Sequence, residues 1–405
     1  SGVLCDSATS DAARGPISFE RLAPIRVKGK DASIAVERPR QVTAQNGLLA
    51  ASPAERPAGG PATVSRFLGR AAEIGRLHTG LDTLRAGAGS VITIEGEPGV
   101  GKSRMVAELK LAARQAGVEC LLGHADAIER NTTYFAWREI LRQFLEQVSA
   151  SDAAALRAYL ETHFESEPIL RTWLPLLNDV LALGFAESAV TAQMNEQARA
   201  ESTSELLVHI LRQAAANIPL VIVLEDAHWM DSMSWNLAAR LAQRMAPVLL
   251  VLVMRTGQVP DSAAGKDLLG LAGDARIVLA PLSRADTEAL VCDRLGVQGI
   301  PPEVMLLIHG KTDGHPLFSE EVCYALRDSG YLRIDRGQCV IAADAEGLGA
   351  PNLPATIEGI IASRIDRLSA SEQLTLKVAG VVGRGFALPM IGDIHPVGLR
   401  QDEIA

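Results

Sequence analysis

The sequence predicts an α/β fold built on a parallel sheet with helices on both faces. Three observations lead there. Four apolar runs, Ser90–Glu95, Pro219–Leu224, Val248–Val253 and Ala275–Leu279, are separated by stretches of helical periodicity. Strands buried on both faces read as near-continuous apolar runs, whereas half-solvated strands alternate. A glycine-rich turn, Gly96-Glu97-Pro98-Gly99-Val100-Gly101-Lys102-Ser103, joins the first run directly to a helix. Finally, 405 residues at 48% hydrophobic content can hold two or three domains, each with a sizeable core.

The elements follow in order. Ile25-Arg26-Val27 and Ser33-Ile34-Ala35-Val36 flank Lys28-Gly29-Lys30, which reads as a hairpin closing a segment of about residues 1–40. Residues 41–62 turn to Ala, Pro, Gly and Ser, with Pro53, Pro57 and Pro61, as a flexible linker does. The α/β region then spans residues 63–285. Its helix from Arg104 to Gln115 puts Val106, Leu109, Ala113 and Ala116 on one face. Thr132 to about Ala216 is mostly helical and long for a crossover, so it reads as an inserted helical layer. Residues 286–350 begin with amphipathic helices, and residues 351–405 hold two more, Thr356–Leu368 and Ser371–Val382.

Bulk composition excludes several classes. A net charge of -9 argues against a broad nucleic-acid surface. The five cysteines (Cys5, Cys120, Cys292, Cys323, Cys339) are odd in number, scattered and free of C-x-x-C pairs. Neither a zinc site nor a disulfide framework is expected, and the usage fits a reducing cytoplasm. The longest apolar runs, such as Val248–Met254, are too short to span a bilayer, and no signal-peptide pattern is evident.

The glycine-rich turn matches G-x-x-x-x-G-K-[ST], the phosphate-binding P-loop. Glycines let backbone N–H groups turn inward onto phosphate oxygens, and the following helix adds its dipole. Lys102 would reach the β- and γ-phosphates and Ser103 would hold Mg²⁺, so ATP or ADP with Mg²⁺ is the expected ligand set along Gly96–Ser103 and Arg104. Leu224-Glu225-Asp226 ends the second apolar run, where a Walker B segment belongs. Glu225 is assigned to the metal and Asp226 to the attacking water, roles that are interchangeable on sequence alone. Arg255 ends the third run, and beside the P-loop strand it would aim a guanidinium at the γ-phosphate. His228 and Trp229 follow the acids without a second zinc ligand at suitable spacing, so His228 reads as a hydrogen-bonded packing residue and Trp229 as core. Gly310-Lys311-Thr312 resembles a second P-loop end but has Met305 in place of the first glycine. Lys311-Thr312-Asp313 resembles the guanine-reading N-K-x-D but has Gly310 in place of Asn.

Together these residues resemble the STAND class of P-loop ATPases in the AAA-like superfamily. Phe67-Leu68-Gly69-Arg70 with Glu73 is similar to its opening motif F-[VL]-G-R-x-x-E, which lies near the adenine. Leu224-Glu225-Asp226-Ala227-His228-Trp229-Met230-Asp231 resembles L-[ED]-D-x-H-W-x-D, and Met254-Arg255 resembles the sensor strand end. Asp313-Gly314-His315-Pro316-Leu317-Phe318 resembles the G-N-P-[LF]-F motif of the helical lid, whose proline, here Pro316, packs near the base. Pro354-Ala355-Thr356-Ile357 through Arg364-Ile365-Asp366-Arg367-Leu368 resembles the start of a winged-helix region.

The first forty residues resemble the C-terminal end of a class III adenylate/guanylate cyclase domain, on Leu4-Cys5-Asp6, Phe19, Leu22 and the Ile25–Val36 hairpin. Tyr134-Phe135-Ala136-Trp137-Arg138-Glu139-Ile140 is similar to the Y-x-P-W-R-E-[IL] segment of bacterial proteins that join such a domain to a STAND ATPase, with Ala136 in place of Pro. The cyclase's metal-binding Asp pair and its Asn/Arg pair are missing from this chain, so it reads as an interior piece of a larger signalling protein. The resemblance implies an ATP-binding regulatory switch, with a cyclase domain upstream and helical repeats downstream as intramolecular partners. It leaves room for a homo-oligomer. Two alternatives stay open on the sequence: an ATPase module with DNA-binding output, and a non-hydrolysing scaffold that keeps ADP.

Overall fold

The computed structural model describes residues 5–6, 17–21, 36–42, 68–148, 152–244, 247–342, 354, 356–366, 368–382, 390–391 and 394. The chain divides into two compact units, Ser65–Leu353 and a second made of Ser1–Val64 with Pro354–Ala405.

In the second unit, β1 (Cys5–Asp6), β2 (Ile17–Arg21) and β3 (Val36–Val42) form an antiparallel sheet in the order β1-β3-β2. The register of β2 on β3 slips between Ser18 and Phe19, beside Pro39, which has no N–H to give to the ladder. β3 runs to Val42, two residues into the segment read as linker. The predicted 25–36 hairpin lies outside the described residues except for Val36, as does the rest of that linker. Two helices near the C-terminus, Ile357–Ile365 and Ala370–Val382, agree with the predicted pair to within a few residues.

The larger unit is built on five parallel strands: β4 (Ser90–Glu95), β5 (Glu119–His124), β6 (Leu220–Glu225), β7 (Val248–Met254) and β8 (Arg276–Val278), in the order β5-β6-β7-β4-β8. Alternate side chains of each strand serve opposite layers. Val221 and Val223 of β6, with Leu249, Val251 and Val253 of β7, pack under α1 (Ala71–Arg85) and α2 (Lys102–Gln115). Leu220, Ile222 and Leu224, with Val248, Leu250 and Leu252, face α3 (Phe135–Val148), α4 (Ala153–His163), α5 (Glu196–Asn217) and α6 (Ser232–Arg244). The sheet is therefore buried on both faces, as the apolar runs predict. Strand β5 is absent from the sequence reading. It is an edge strand whose run Glu-Cys-Leu-Leu-Gly-His buries few side chains, so it carries no apolar signature.

After α7 (Ala263–Ala272) and β8, three helices follow: α8 (Arg284–Leu295), α9 (Pro302–Thr312) and α10 (Pro316–Asp328). The segment expected to be a helical lid also contains a hairpin, β9 (Leu332–Asp335) and β10 (Gln338–Ile341), a correction to the sequence reading. Its turn sets Arg336 and Gly337 at φ 49° and 79°, the primed geometry that suits strand twist. Arg is an unusual first residue for that turn, which hid it.

Candidate functional site

The loop Gly96–Ser103 leaves the C-terminal end of β4 and enters α2. Gly99 and Gly101 sit at φ 81° and 108°, in the left-handed region that an L side chain rarely adopts. Gly101 is the N-cap of α2, so Lys102 and Ser103 fall in the first helical turn, beside unpaired helix N–H groups. Val100 anchors the loop by burying its side chain in the core, while Glu97 and Pro98 are exposed. Lys102 Nζ donates to the carbonyls of Gly96 at 2.8 Å and Glu97 at 3.0 Å. Its ammonium spans the loop that a phosphate chain would fill.

The acidic side of the site comes from β6. This strand is not adjacent to β4, because β7 lies between them. Glu225 is the last residue of β6, and Asp226 follows at φ 52°, a strained value that starts the one-turn helix Ala227–Trp229. Met254 of β7 is in register with Glu95 of β4, so the next residue, Arg255, leaves the sheet beside the start of the P-loop. The third strand thus stands next to the P-loop strand, the condition the sequence argument set for Arg255.

Electrostatics confirms the convergence. Burial pushes the Lys102 ammonium below its ordinary 10.5, Asp226, Glu97 and Glu225 oppose that shift, and Arg255 adds to it. The structure therefore brings Lys102, Asp226, Glu225 and Arg255 together from three strand ends. Burial likewise lowers His228, with Asp226 opposing and Arg255 and Lys102 reinforcing. The sequence reading of His228 as a hydrogen-bonded packing residue is corrected here: both of its ring nitrogens are shielded and without a partner.

The remaining predicted residues divide. Arg104 lies half-buried in the first turn of α2. Gly69, at φ 69°, lets the chain pass close to Asp286. Arg70 is buried and donates to the Ala280 carbonyl and to Glu73 (3.4 Å), so it pins the start of α1 to the chain beyond β8. Phe67 lies outside the described residues. Pro316 is the first residue of α10, whose N-cap, His315, reaches the P-loop, a contact not foreseen from sequence. The only signal available was that His315 stands where the motif has Asn.

Among the described residues no three His, Cys, Asp or Glu side chains converge as a metal-binding group. A Mg²⁺ ion here would be held by Ser103 and one or two acids, with water and phosphate oxygens completing the shell, the usual habit of that ion.

Residues 66–253 match the AAA ATPase domain family. This stretch is an AAA-type ATPase module. Beyond the module, residues 283–340 match the family described as Domain of unknown function (DUF8739), which covers the three helices and most of the β9–β10 hairpin. The uncharacterized protein R02095 of Rhizobium meliloti (strain 1021) is 27% identical over 361 residues, 84% of this chain and 31% of that protein. Adenylate cyclase type 10 of Mus musculus is 22% identical over 444 residues, 97% of this chain and 26% of that protein. The chain thus spans about a third or less of these curated relatives. Cdc6p from Pyrobaculum aerophilum has a similar structure, with a TM-score of 0.43 and 15% identity over 84% of this chain and 82% of that one. Among the described residues, no helix is long and apolar enough to cross a membrane.

Proposed function

We propose that the AAA module is an ATP-binding, ATP-hydrolysing switch that regulates a nucleotide-cyclase output in a larger signalling protein. The observation that carries this reading is the convergence of Lys102, from the start of α2, with Glu225, Asp226 and Arg255 around the carboxyl ends of β4, β6 and β7, with the start of α10 held against the P-loop. The free main-chain N–H groups of the loop, Gly99 and Gly101 among them, and the α2 N-terminus bind the phosphates, and Lys102 exchanges its loop carbonyls for the β- and γ-phosphate oxygens. Mg²⁺, when bound through Ser103 and Glu225, neutralises charge on those phosphates. Asp226 orients the attacking water and accepts its proton, and Arg255 stabilises the charge that moves onto the transferred group. Phe67, Gly69, Arg70 and Pro316 frame the base. Because α10 touches the loop directly, a change in phosphate occupancy alters the position of the three-helix segment. The cyclase link draws support from the adenylate cyclase type 10 relatives and from the motifs of the first forty residues.

The test is a pair of variants measured for nucleotide affinity and turnover. Lys102→Ala abolishes tight ATP binding, and Asp226→Asn retains binding while stopping hydrolysis. Unchanged ATPase activity in both would sink the assignment.

A further inference from the structure

Three helices in the layer opposite α1 and α2 leave a space between them. Gln197, Ala200, Glu201 and Ser204 of α5 line one side, and Met233, Asn236, Arg240 and Gln243 of α6 line another. Both sets follow the three- and four-residue spacing of a single helix face. Ala264 and Asp267 of α7 add a third side, and Tyr134, just ahead of α3, completes the wall. Together they enclose a cavity of about 430 Å³, within the size range of small-molecule sites. The space exists because Ala200, Ala239 and Ala264 stand where larger side chains would fill it. Tyr134 is buried and held at φ 57°, a costly backbone value for a bulky residue, of the kind that gathers at ligand-holding sites.

Charge in the lining sets the ligand class. Glu201 and Asp267 bring two carboxylates, from different helices. Arg240 offsets them little, because Glu205 engages its guanidinium at 3.3 Å. Glu201 accepts from the Gln197 amide at 3.1 Å through one oxygen. Among the described residues, Asp267 and the Asn236 amide have no hydrogen-bond or ion-pair partner. An anion would meet net repulsion here. A bare metal ion lacks its donor set, since no three His, Cys, Asp or Glu side chains converge among the described residues. An organic cation brings its own N–H donors to both the carboxylates and the amides. Alanines and Met233 in the same cavity suit the methylenes of such a molecule.

We propose that this cavity binds a linear polyamine, its ammonium groups meeting Glu201 and Asp267 and its methylene chain lying along the alanines and Met233. The lining shares no residue with the phosphate site, so the inference stands independently of the nucleotide reading.

The experiment is calorimetry of the full chain with spermidine at physiological ionic strength, where diffuse surface attraction is screened. Saturable binding at one site per chain is expected. Asp267→Asn weakens it about threefold, and Asp267→Asn with Glu201→Gln about tenfold, as loss of one and of two partly exposed ion pairs predicts. Ala264→Leu fills the cavity and abolishes binding. Diacetylated spermidine, which has lost both terminal charges, binds far more weakly than spermidine. In the unaltered protein the Met233 methyl resonance shifts on adding spermidine, a readout that needs no variant. Absence of saturable binding, a Met233 methyl that stays in place while heat is evolved, or an affinity unchanged by Ala264→Leu or by the paired carboxylate change would overturn the site. Equal binding of the diacetylated compound, or displacement of spermidine by Mg²⁺ at equal concentration, would overturn the ligand class.

Discussion

The Nε2 atom of His315 donates to the main-chain oxygen of Pro98 at 2.8 Å, tying the N-terminus of α10 to the phosphate loop. A carbonyl only accepts, so Nε2 carries the proton. Nδ1 is then free to accept, and it does so from the N–H of Phe318 at 3.3 Å as the helix N-cap. The two bonds require the same neutral tautomer. Leu317 N–H adds a longer bond to Gly99 O at 3.4 Å.

This arrangement predicts separable effects at His315. An asparagine caps the helix but cannot reach Pro98, so His315→Asn loses about 1 kcal/mol and speeds amide exchange at Gly99 and Gly101. His315→Ala loses the cap as well, for a total of about 2 kcal/mol. Denaturant melts with hydrogen exchange distinguish the two, and identical behaviour of both variants would contradict the bridge.

At the other side of the loop, Glu95 accepts two 2.7 Å bonds from Arg276 of β8. The carboxylate is almost fully buried and the guanidinium half exposed. Arg276→Met strands that carboxylate and costs about 1–3 kcal/mol. Glu95→Gln avoids the stranded charge and costs less. Urea denaturation measures both, and the reverse order would refute the asymmetry in burial.

Gly123 of β5 faces α3 so closely that a Cβ would stand 2.0 Å from the Ala136 carbonyl oxygen. Gly123→Ala forces helix and strand apart and costs about 3 kcal/mol. Gly310, exposed near the end of α9 with nothing near its missing Cβ, is the control. Gly310→Ala stabilises by up to about 1 kcal/mol through helix propensity. Thermal melts of the two variants should move in opposite directions.

Burial pushes the thiols of Cys120 and Cys323 up to about 12. The thiolate is the nucleophile, so at pH 8 both remain protonated and resist alkylation in the folded protein. Their reactivity rises only as pH approaches that value or when urea unfolds the chain. Mass spectrometry after brief iodoacetamide treatment reads this directly, and rapid labelling of Cys323 in the native state would show that the core around it opens.

Much of the molecule is legible in the chain. The strands β4, β6 and β7 agree with their apolar runs to within a residue, because a strand sealed on both faces is apolar at most positions. The P-loop is legible because phosphate binding by backbone N–H groups demands glycine and lysine at set spacing. Strand β5 and the β9–β10 hairpin escaped, being edge or partly solvated strands whose polar residues need no burial. His228 was misjudged because a single histidine has the same appearance whether its nitrogens are paired or not.

Local chemistry by itself determined the loop, the acids at the end of β6 and the helix that carries Lys102, since each depends on residues within one turn or strand. Only the tertiary structure decided that β7 stands between β4 and β6, that Arg255 emerges beside Gly96, and that His315 crosses to Pro98, 217 residues away in sequence. Those placements arise from the pairing of distant strands and the packing of whole layers, which no short window of sequence contains.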